Sequence, residues 1–250
     1  MNTSPTDGVP ARLDIEIASK SYRGARGGVV EVVRGFAMQL PAGTFGALIG
    51  PSGCGKTTIL RIVAGLDTDF TGRLTLPGGG RLGMVFQEPR LLPWRSVEDN
   101  VRLALDAPPP AVELDALFTM LGLAEHRDHY PGELSLGLAR RAAIARAFAV
   151  KPDLLLLDEP FVSLDEETAR RLRGELAALR ARGPVTTLLV THDVEEAIEL
   201  ADVLYFLSPR PARLIRAVPV TLAPAERTPE AIARFRAELQ DVAAIARADG

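Results

Sequence analysis

Polar and apolar residues alternate near the start of the chain, and further along the apolar residues gather in short unbroken runs. The segment ARLDIEI alternates as a half-buried strand does, and VVEVVRGFAMQL and TFGALIG continue the strand pattern. The runs DLLLL, VTTLLV and VLYFL are apolar throughout, which is typical of strands covered on both faces. Helical spacing separates these runs, so the sequence predicts an α/β fold with a mainly parallel sheet.

The middle of the chain has a different pattern. Between about residues 88 and 148, three helical patterns are separated by proline-rich breaks, and no strand pattern is present. We therefore expect a helical subdomain inserted into an α/β domain that covers residues 11–220. Residues 1–10 are expected to form a disordered leader, and residues 221–250 a helical tail that packs on its own domain. The apolar stripe of that tail consists of Ile232, Phe235, Leu239, Val242 and Ile245.

The segment GPSGCGKTT is a specific phosphate-binding motif. Gly50, Gly55, Lys56 and Thr57 match the pattern G-x-x-x-x-G-K-[ST], and the segment lies between a buried strand and a helix, as that pattern requires. Glycines let backbone N–H groups approach phosphate oxygens, and the helix start adds its positive dipole. The predicted nucleotide contacts in this loop are Gly50, Pro51, Ser52, Gly53, Cys54, Gly55, Lys56, Thr57 and Thr58. The predicted fold is thus a P-loop NTPase core with an N-terminal antiparallel β part and an inserted helical subdomain.

Polar side chains follow three other predicted strands. Asp158 and Glu159 follow the LLLL run, His192 follows LLVT, and Gln87 ends a short strand. Strand ends of a parallel sheet converge on the ligand crevice, so we expect these side chains near the phosphate loop. Asp158, with Thr57 and Gln87, is predicted to hold Mg²⁺, and Glu159 to act as general base toward an attacking water. His192 is predicted to sense or hold the terminal phosphate, and Gln87 to report its occupancy.

Net charge, cysteine count and the length of the apolar runs limit the classes of protein to which this chain could belong. The 250 residues carry a formal net charge of −3, with 47% hydrophobic and 24% charged residues. Such a chain has no overall basic field that would attract nucleic acid. The single cysteine, Cys54, cannot form an internal disulfide. No apolar run approaches the roughly 18 residues that span a bilayer, so work at a membrane would require recruitment by another chain.

Taken in order, GPSGCGKTT, FQEP, LSLG, LLLLDEP, SLD and THD resemble the nucleotide-binding subunits of ABC transporters, over nearly the whole chain. The resemblance implies that the protein binds and hydrolyses ATP with Mg²⁺. It also implies a pair of identical or similar subunits, with each ATP between the Lys56 loop of one and the serine-glycine motif of the other. Ser135 and Gly137 would then contact nucleotide across the dimer, Asp165 would lie at the seam, and Tyr22 would stack on adenine.

The serine-glycine motif departs from the family's usual Leu-Ser-Gly-Gly-Gln, since residues 134–138 read LSLGL. Ser135 can cap the helix that follows, whose free N–H groups form an anion site, and Leu136 tolerates the negative φ of a first helical position. Gly137 keeps the surface open to a phosphate, while the sequence does not indicate what replaces a glutamine at Leu138. We expect a working site; the alternative is a degenerate motif with weak turnover.

Two further segments indicate which type of ABC transporter the chain resembles. QEPRLLPWRSVEDNV and LSPRPARL are similar to importers of the nitrate, sulfonate and taurine type, in which a periplasmic binding protein delivers substrate to an integral membrane permease. The ATPase would then lie peripherally on the cytoplasmic face of the membrane. Leu91, Leu92 and Trp94 lie in a proline-broken loop and are expected to be exposed to the permease, the alternative being a buried anchor for the loop.

Three other functions fit parts of the pattern. One is a non-transport ABC ATPase, although the chain has no room for the coiled-coil insertion of DNA-repair relatives and has one nucleotide domain, unlike translation-factor relatives. Another is a P-loop kinase of a small metabolite, which would not need the LSLG and THD motifs. The third is a regulatory binding protein without catalysis, which the intact Lys56, Asp158 and Glu159 disfavour.

The dimer hypothesis predicts the effect of Ser135→Arg. An arginine at this helix start would obstruct the approach of the other subunit's nucleotide to the free N–H groups. ATP hydrolysis should therefore be abolished, while ATP binding to a single subunit should remain. Turnover and nucleotide binding measured on the same variant test this, and near-normal turnover would refute the role of Ser135.

Overall fold

The computed structural model describes residues 12–24, 27–105 and 111–239. The predicted leader, and Val242 and Ile245 of the tail stripe, lie outside these ranges. Within them the chain forms a small antiparallel sheet and a larger, mainly parallel sheet, with helices packed on the latter.

The small sheet contains β1 (Arg12–Arg23), β2 (Val29–Pro41) and β4 (Thr71–Thr75) in the order β2-β1-β4, with both pairings antiparallel. The buried side chains of β1 alternate along the strand, as Leu13 and Ile15 do. This sheet is the antiparallel β part that the sequence predicts.

The larger sheet contains six strands in the order β5-β6-β7-β3-β8-β9. These strands are β3 (Phe45–Ile49), β5 (Leu82–Val85), β6 (Leu154–Asp158), β7 (Thr186–Thr191), β8 (Val203–Leu207) and β9 (Leu214–Pro219). The first five strands in that order run parallel, and β3, β6 and β7 are buried along their whole length, as the apolar runs of β6 and β7 predict.

The antiparallel edge strand β9 was not expected from the sequence pattern. Among the residues that the structure describes it pairs with β8 alone, it contains Arg216, and it is at most partly buried. An edge strand does not need the unbroken apolar run of a central strand, so its sequence gives a weak signal. The prediction of a mainly parallel sheet is confirmed, with one antiparallel strand added.

The helices are α1 (Lys56–Val63), α2 (Val97–Arg102), α3 (Ala111–Met120), α4 (Leu136–Ala149), α5 (Glu166–Arg180), α6 (Val194–Leu200) and α7 (Pro229–Glu238). The described residues between 88 and 148 include α2, α3 and α4 and no strand. Helix α5 ends at Arg180, and the N–H groups of Arg182 and Gly183 that follow it donate to carbonyls three residues earlier. In the part of the chain that the structure describes, no helix is both long and apolar enough to cross a membrane.

Alternate residues of β6 show that the large sheet is covered on both faces. Leu155 and Leu157 pack with residues of the helices α2–α7, whereas Leu154 and Leu156 pack with α1 and the small sheet. All four leucines are fully buried. The two covered faces leave the carboxyl ends of the parallel strands as the place where a ligand can bind.

The described part of the tail, up to Leu239, packs on its own domain. Ile232, Phe235 and Leu239 are buried in the same core as α6. On the surface beside them, Arg236 Nη1 lies 2.5 Å from Glu195 Oε1. The described part of the tail is therefore an integral part of the domain.

The loop after β5 exposes only one of its three predicted apolar side chains. Trp94 is 70% exposed, whereas Leu91 packs against the core and Leu92 is partly buried. Buried Asn100 holds this loop, because its Oδ1 accepts from Leu92 N over 2.6 Å and its Nδ2 donates to Arg95 O over 3.1 Å. The expectation of three exposed side chains is wrong for the two leucines, since their side of the loop faces the protein.

Glu196, in the first turn of α6, carries its carboxyl group in an unfavourable environment. Oε1 of Glu196 is buried without a hydrogen-bond partner among the described residues, and burial, with the charge of Asp193, raises its pKa from 4.5 to about 8. The folded protein therefore keeps this proton at pH values where the unfolded chain has lost it. The free energy of unfolding should fall as pH rises through this window, and the loss is complete above the folded pKa.

Glu196→Gln should remove this pH dependence. The variant should match the wild-type melting temperature near pH ~5 and exceed it by about 4 °C or more near pH ~9, where only the wild type buries a charge. Thermal unfolding across that range measures the difference. Glu195→Gln on the same helix is the control, since its half-exposed ion pair contributes little. A gain from Glu196→Gln that is equal at all pH values would contradict the assignment.

Candidate active site

The phosphate loop lies between β3, which ends at Ile49, and α1, which begins at Lys56. Gly53 and Gly55 have φ values of 75° and 127°, which favour glycine. A Cβ on Gly55 would also lie 3.0 Å from the carbonyl oxygen of Val32. The glycines of the motif are thus required by the loop's own shape.

Cys54 is the filler of this loop rather than part of its surface. Its side chain is buried, and burial raises the pKa of the thiol. A Cβ on Gly50 would approach Sγ of Cys54 to 3.0 Å. Cys54 therefore supports the loop from behind and does not line the cleft described below.

Lys56 is buried within the curve of the loop. Its Nζ donates to the carbonyl oxygens of Gly50, over 2.7 Å, and of Pro51, over 3.0 Å. Only 4% of Lys56 is exposed. These bonds hold the ammonium group at the loop, where an incoming phosphate requires a positive charge.

Thr57 and Asp158 meet across the start of α1 and the end of β6. Thr57 Oγ1 donates to Asp158 Oδ1 over 3.1 Å. Burial raises the pKa of Asp158, although the bond from Thr57 opposes this change. Two side-chain oxygens of the kind that hard cations prefer therefore lie side by side.

Glu159 has an unusual backbone conformation for a non-glycine residue, with a φ of 44°. Its N–H donates to Val190 O of β7 over 2.9 Å, which keeps the residue at the strand end. His192 Nδ1 lies 3.4 Å from Glu159 Oε2, and the histidine side chain is 54% exposed. Residues with such a backbone conformation are often found at functional positions.

A cleft of about 520 Å³ opens above the phosphate loop. The predicted site residues that line it are Tyr22, Ser52, Gly53, Gly55, Lys56, Thr57, Thr58, Gln87 and Glu159. Asp158 and His192 adjoin it through their contacts with Thr57 and Glu159. The residues predicted to bind phosphate, to hold the metal and to activate water therefore lie together at one edge of the sheet.

Tyr22 is held at the cleft by two residues that the sequence analysis did not assign. Its hydroxyl donates to Asp67 Oδ2 over 2.6 Å, and Lys20 Nζ donates to Asp67 Oδ1 over 2.7 Å. Lys20 Nζ also lies 4.5 Å from the centroid of the Tyr22 ring. Burial opposes the charge of Lys20, but its bond to Asp67 offsets this and raises its pKa overall.

Arg210 is a further cleft residue that sequence reasoning missed. It lies in the turn between β8 and β9 and lines the cleft. Because β8 runs parallel beside β3, the residues after the two strands fall at the same edge of the sheet. The position of Arg210 shortly after the predicted strand VLYFL was therefore the sequence signal that placed it near the cleft.

Ser135, Gly137 and Asp165 lie outside the cleft. Ser135 is the N-cap of α4 and accepts from Leu138 N over 3.3 Å, as predicted. Asp165 caps α5, and the N–H of Thr168 that it accepts lowers its pKa. A Cβ on Gly137 would lie 2.9 Å from Cγ2 of Thr168, so this glycine lets the two helix starts pack closely.

The chain resembles ABC transporter subunits along most of its length. Residues 33–162, over half of the chain, match the ABC transporter family. The chain is 44% identical to the aliphatic sulfonates import ATP-binding protein SsuB 2 of Burkholderia cenocepacia, over 95% of this chain and 89% of that protein. An SsuB 2 of Streptomyces avermitilis is 50% identical over 68% of both chains.

Solved structures share the fold. The dimeric structure of MJ0796, a bacterial ABC transporter cassette, matches with a TM-score of 0.72 and 24% identity, over 83% of this chain and 98% of that one. A dimeric post-hydrolysis state of MJ0796 bound to ADP and Pi matches with a TM-score of 0.70. The chain belongs to the ABC transporter family. It is an ATP-binding subunit of that family and hydrolyses ATP.

The position of Glu159 predicts the effect of Glu159→Gln. Glutamine preserves the size of the side chain but cannot accept a proton from water, so turnover should fall about 100-fold or more. An ATP-bound dimer should accumulate instead. Phosphate release measures the first effect, and light scattering with ATP measures the second.

Lys56→Ala provides the comparison for this experiment. Loss of the ammonium group should weaken nucleotide binding itself, so no dimer should accumulate with ATP. Normal ATP hydrolysis by the Glu159→Gln protein would show that another group is the general base.

Proposed function

We propose that this ATPase drives an import system as one of two identical or similar subunits that enclose ATP between them. The proposal is based on the division of the site residues into two groups. Lys56 and Glu159 line the cleft, whereas Ser135 and Asp165 lie outside it. A nucleotide that contacts both groups therefore requires a second subunit.

The start of α4 is suited to receive the phosphates held by that second subunit. The N–H groups of its first turn lie at the positive end of the helix dipole, and Ser135 adds a hydroxyl group. Leu136 at this helix start is 42% exposed, so a second subunit could reach it. Leu136, which replaces the family's usual glycine, lies in an ordinary helical position. The N–H of Leu138 is bonded to Ser135 Oγ, so the N–H groups of Leu136 and Gly137 are the ones that would meet a phosphate.

Mg²⁺ would be held by Thr57, Asp158 and Gln87. Their side chains offer the oxygen ligands that this cation prefers, and Thr57 already contacts Asp158. Among the described residues, no group of three His, Cys, Asp or Glu side chains could hold a metal ion. The donor set suits Mg²⁺, which usually completes its shell with water and phosphate oxygens, and the bound ion would neutralise charge on the outer phosphates.

Hydrolysis would proceed by in-line attack of water on the γ-phosphate. Glu159 accepts the proton of the water, and its strained backbone holds the carboxylate over the cleft. His192, beside Glu159 and half exposed, is available to the terminal phosphate. Lys56 stabilises the charge on the transferred group, so positioning and electrostatics supply most of the catalysis.

The permease would dock on the loop after β5. Trp94 is exposed there, and an exposed tryptophan on a rigid loop is typical of a partner surface. Buried Asn100 fixes the loop in place without a ligand. The protein would thus act peripherally on the cytoplasmic face of the membrane, with a periplasmic binding protein as an indirect partner and without nucleic acid.

The proposed cargo is an aliphatic sulfonate. This part of the proposal is supported by relatives named as aliphatic sulfonates import ATP-binding proteins, from Burkholderia cenocepacia and Bacillus licheniformis, at 44% and 39% identity. The site residues concern ATP and do not contact cargo. Taurine and nitrate are the other cargoes that the sequence motifs suggest.

Uptake by the native cell tests the function and the cargo together. Deletion of the gene should abolish uptake of labelled ethanesulfonate, and the wild-type gene should restore it. A Glu159→Gln gene should fail to restore it, because hydrolysis drives the transport. Unchanged ethanesulfonate uptake with loss of taurine or nitrate uptake would correct the cargo, and unchanged uptake of all three would contradict the import function.

A further inference from the structure

Arg210 provides a positive charge at the mouth of the nucleotide cleft. Its Nε and Nη2 donate to the carbonyl oxygen of Gly53, over 3.0 and 2.6 Å. Gly53 belongs to the phosphate loop, and a Cβ on it would lie 3.4 Å from Nη2 of Arg210. The guanidinium group therefore rests on the loop that holds phosphate, while its side chain stays exposed to solvent.

We propose that Arg210 is a nucleotide ligand whose guanidinium group binds a phosphate of ATP or ADP. The proposal rests on the nucleotide site described above and adds a residue to it. The guanidinium fork has donors on Nη1 and Nη2 beyond those bonded to Gly53. Its planar geometry matches phosphate oxygens better than an ammonium group does.

The charges of the cleft support this role. The charged side chains that line it are those of Lys56, Glu159 and Arg210. Lys56 and Glu159 carry opposite charges, so Arg210 makes this set positive overall. A nucleotide carries several negative charges on its phosphates, and a cleft of positive sign attracts and holds it.

The backbone of the turn that carries Arg210 is held by its own hydrogen bonds. Ser208 N donates to Arg213 O and Arg213 N donates to Ser208 Oγ, both over 3.0 Å. Ala212 N donates to Val32 O of β2 over 2.8 Å. Because the backbone is already ordered, binding a phosphate would cost only the side-chain freedom of Arg210.

The alternative is that Arg210 donates to Gly53 only to hold the phosphate loop in shape, without contacting nucleotide. Arg210→Gln separates the two roles, because a glutamine amide can still donate to Gly53 O but carries no charge. Arg213→Ala is the matched control, since it removes an exposed arginine from the same turn that does not line the cleft.

Calorimetric titration of the full chain with MgADP tests the proposal without hydrolysis. Arg210→Gln and Arg210→Ala should both raise the Kd about 10-fold, and Arg213→Ala should leave it unchanged. The difference from wild type should shrink as NaCl rises from ~50 to ~500 mM, because salt screens an exposed charge pair. The melting temperature without nucleotide should be the same for all of them.

Two results would overturn the assignment. Arg210→Gln with a wild-type Kd, or a loss of affinity that does not depend on salt, would show that Arg210 only braces the loop. Failure of the wild-type chain to bind MgADP would instead refute the nucleotide site itself. Binding of MgADP by the wild type, together with loss of binding in Lys56→Ala, shows that the titration reports on the nucleotide site. The arginine variants are then compared under the same conditions.

Discussion

The parallel alignment of three neighbouring strands is the constraint on which the site depends. In the register of the large sheet, Ile49 of β3 pairs with Thr191 of β7, and Asp158 of β6 pairs with Val190 of β7. Adjacent strands lie about 4.8 Å apart, so residues that follow these ends are close neighbours. The Lys56 loop, Glu159 and His192 are such residues, and a strand shifted by one position would move its predicted site residue away from the others.

The burial of those strands fixes their register. Leu154 and Leu156 face one core, while Leu155 and Leu157 face the other, so β6 has no side that could turn to solvent. A shift by one residue would exchange the two sets of side chains between cores packed to different shapes. The geometry of the site thus depends on the apolar packing of both cores, one on each face of the large sheet.

Sequence alone could predict the parts of the fold and the site that depend on local patterns. Apolar runs identified β6, β7 and β8, and the glycine spacing identified the phosphate loop. Contacts between distant segments left no local signal: Asp67 reaches Tyr22, and Arg210 reaches Gly53, only because the chain folds back on itself. The edge strand β9 was missed because a strand that is at most partly buried lacks the unbroken apolar run of a central strand.

Helix α4 links the two groups of site residues within one subunit. Arg140, which is buried on that helix, donates from Nη1 to Phe86 O over 3.3 Å and from Nη2 to Val162 O over 3.1 Å. Phe86 precedes Gln87, and Val162 lies in the loop after Glu159, so these bonds join the helix capped by Ser135 to both segments. A movement of α4 away from them would leave a buried guanidinium group without its acceptors, which is costly. The Ser135 end of the helix and the cleft of the same subunit are therefore mechanically joined.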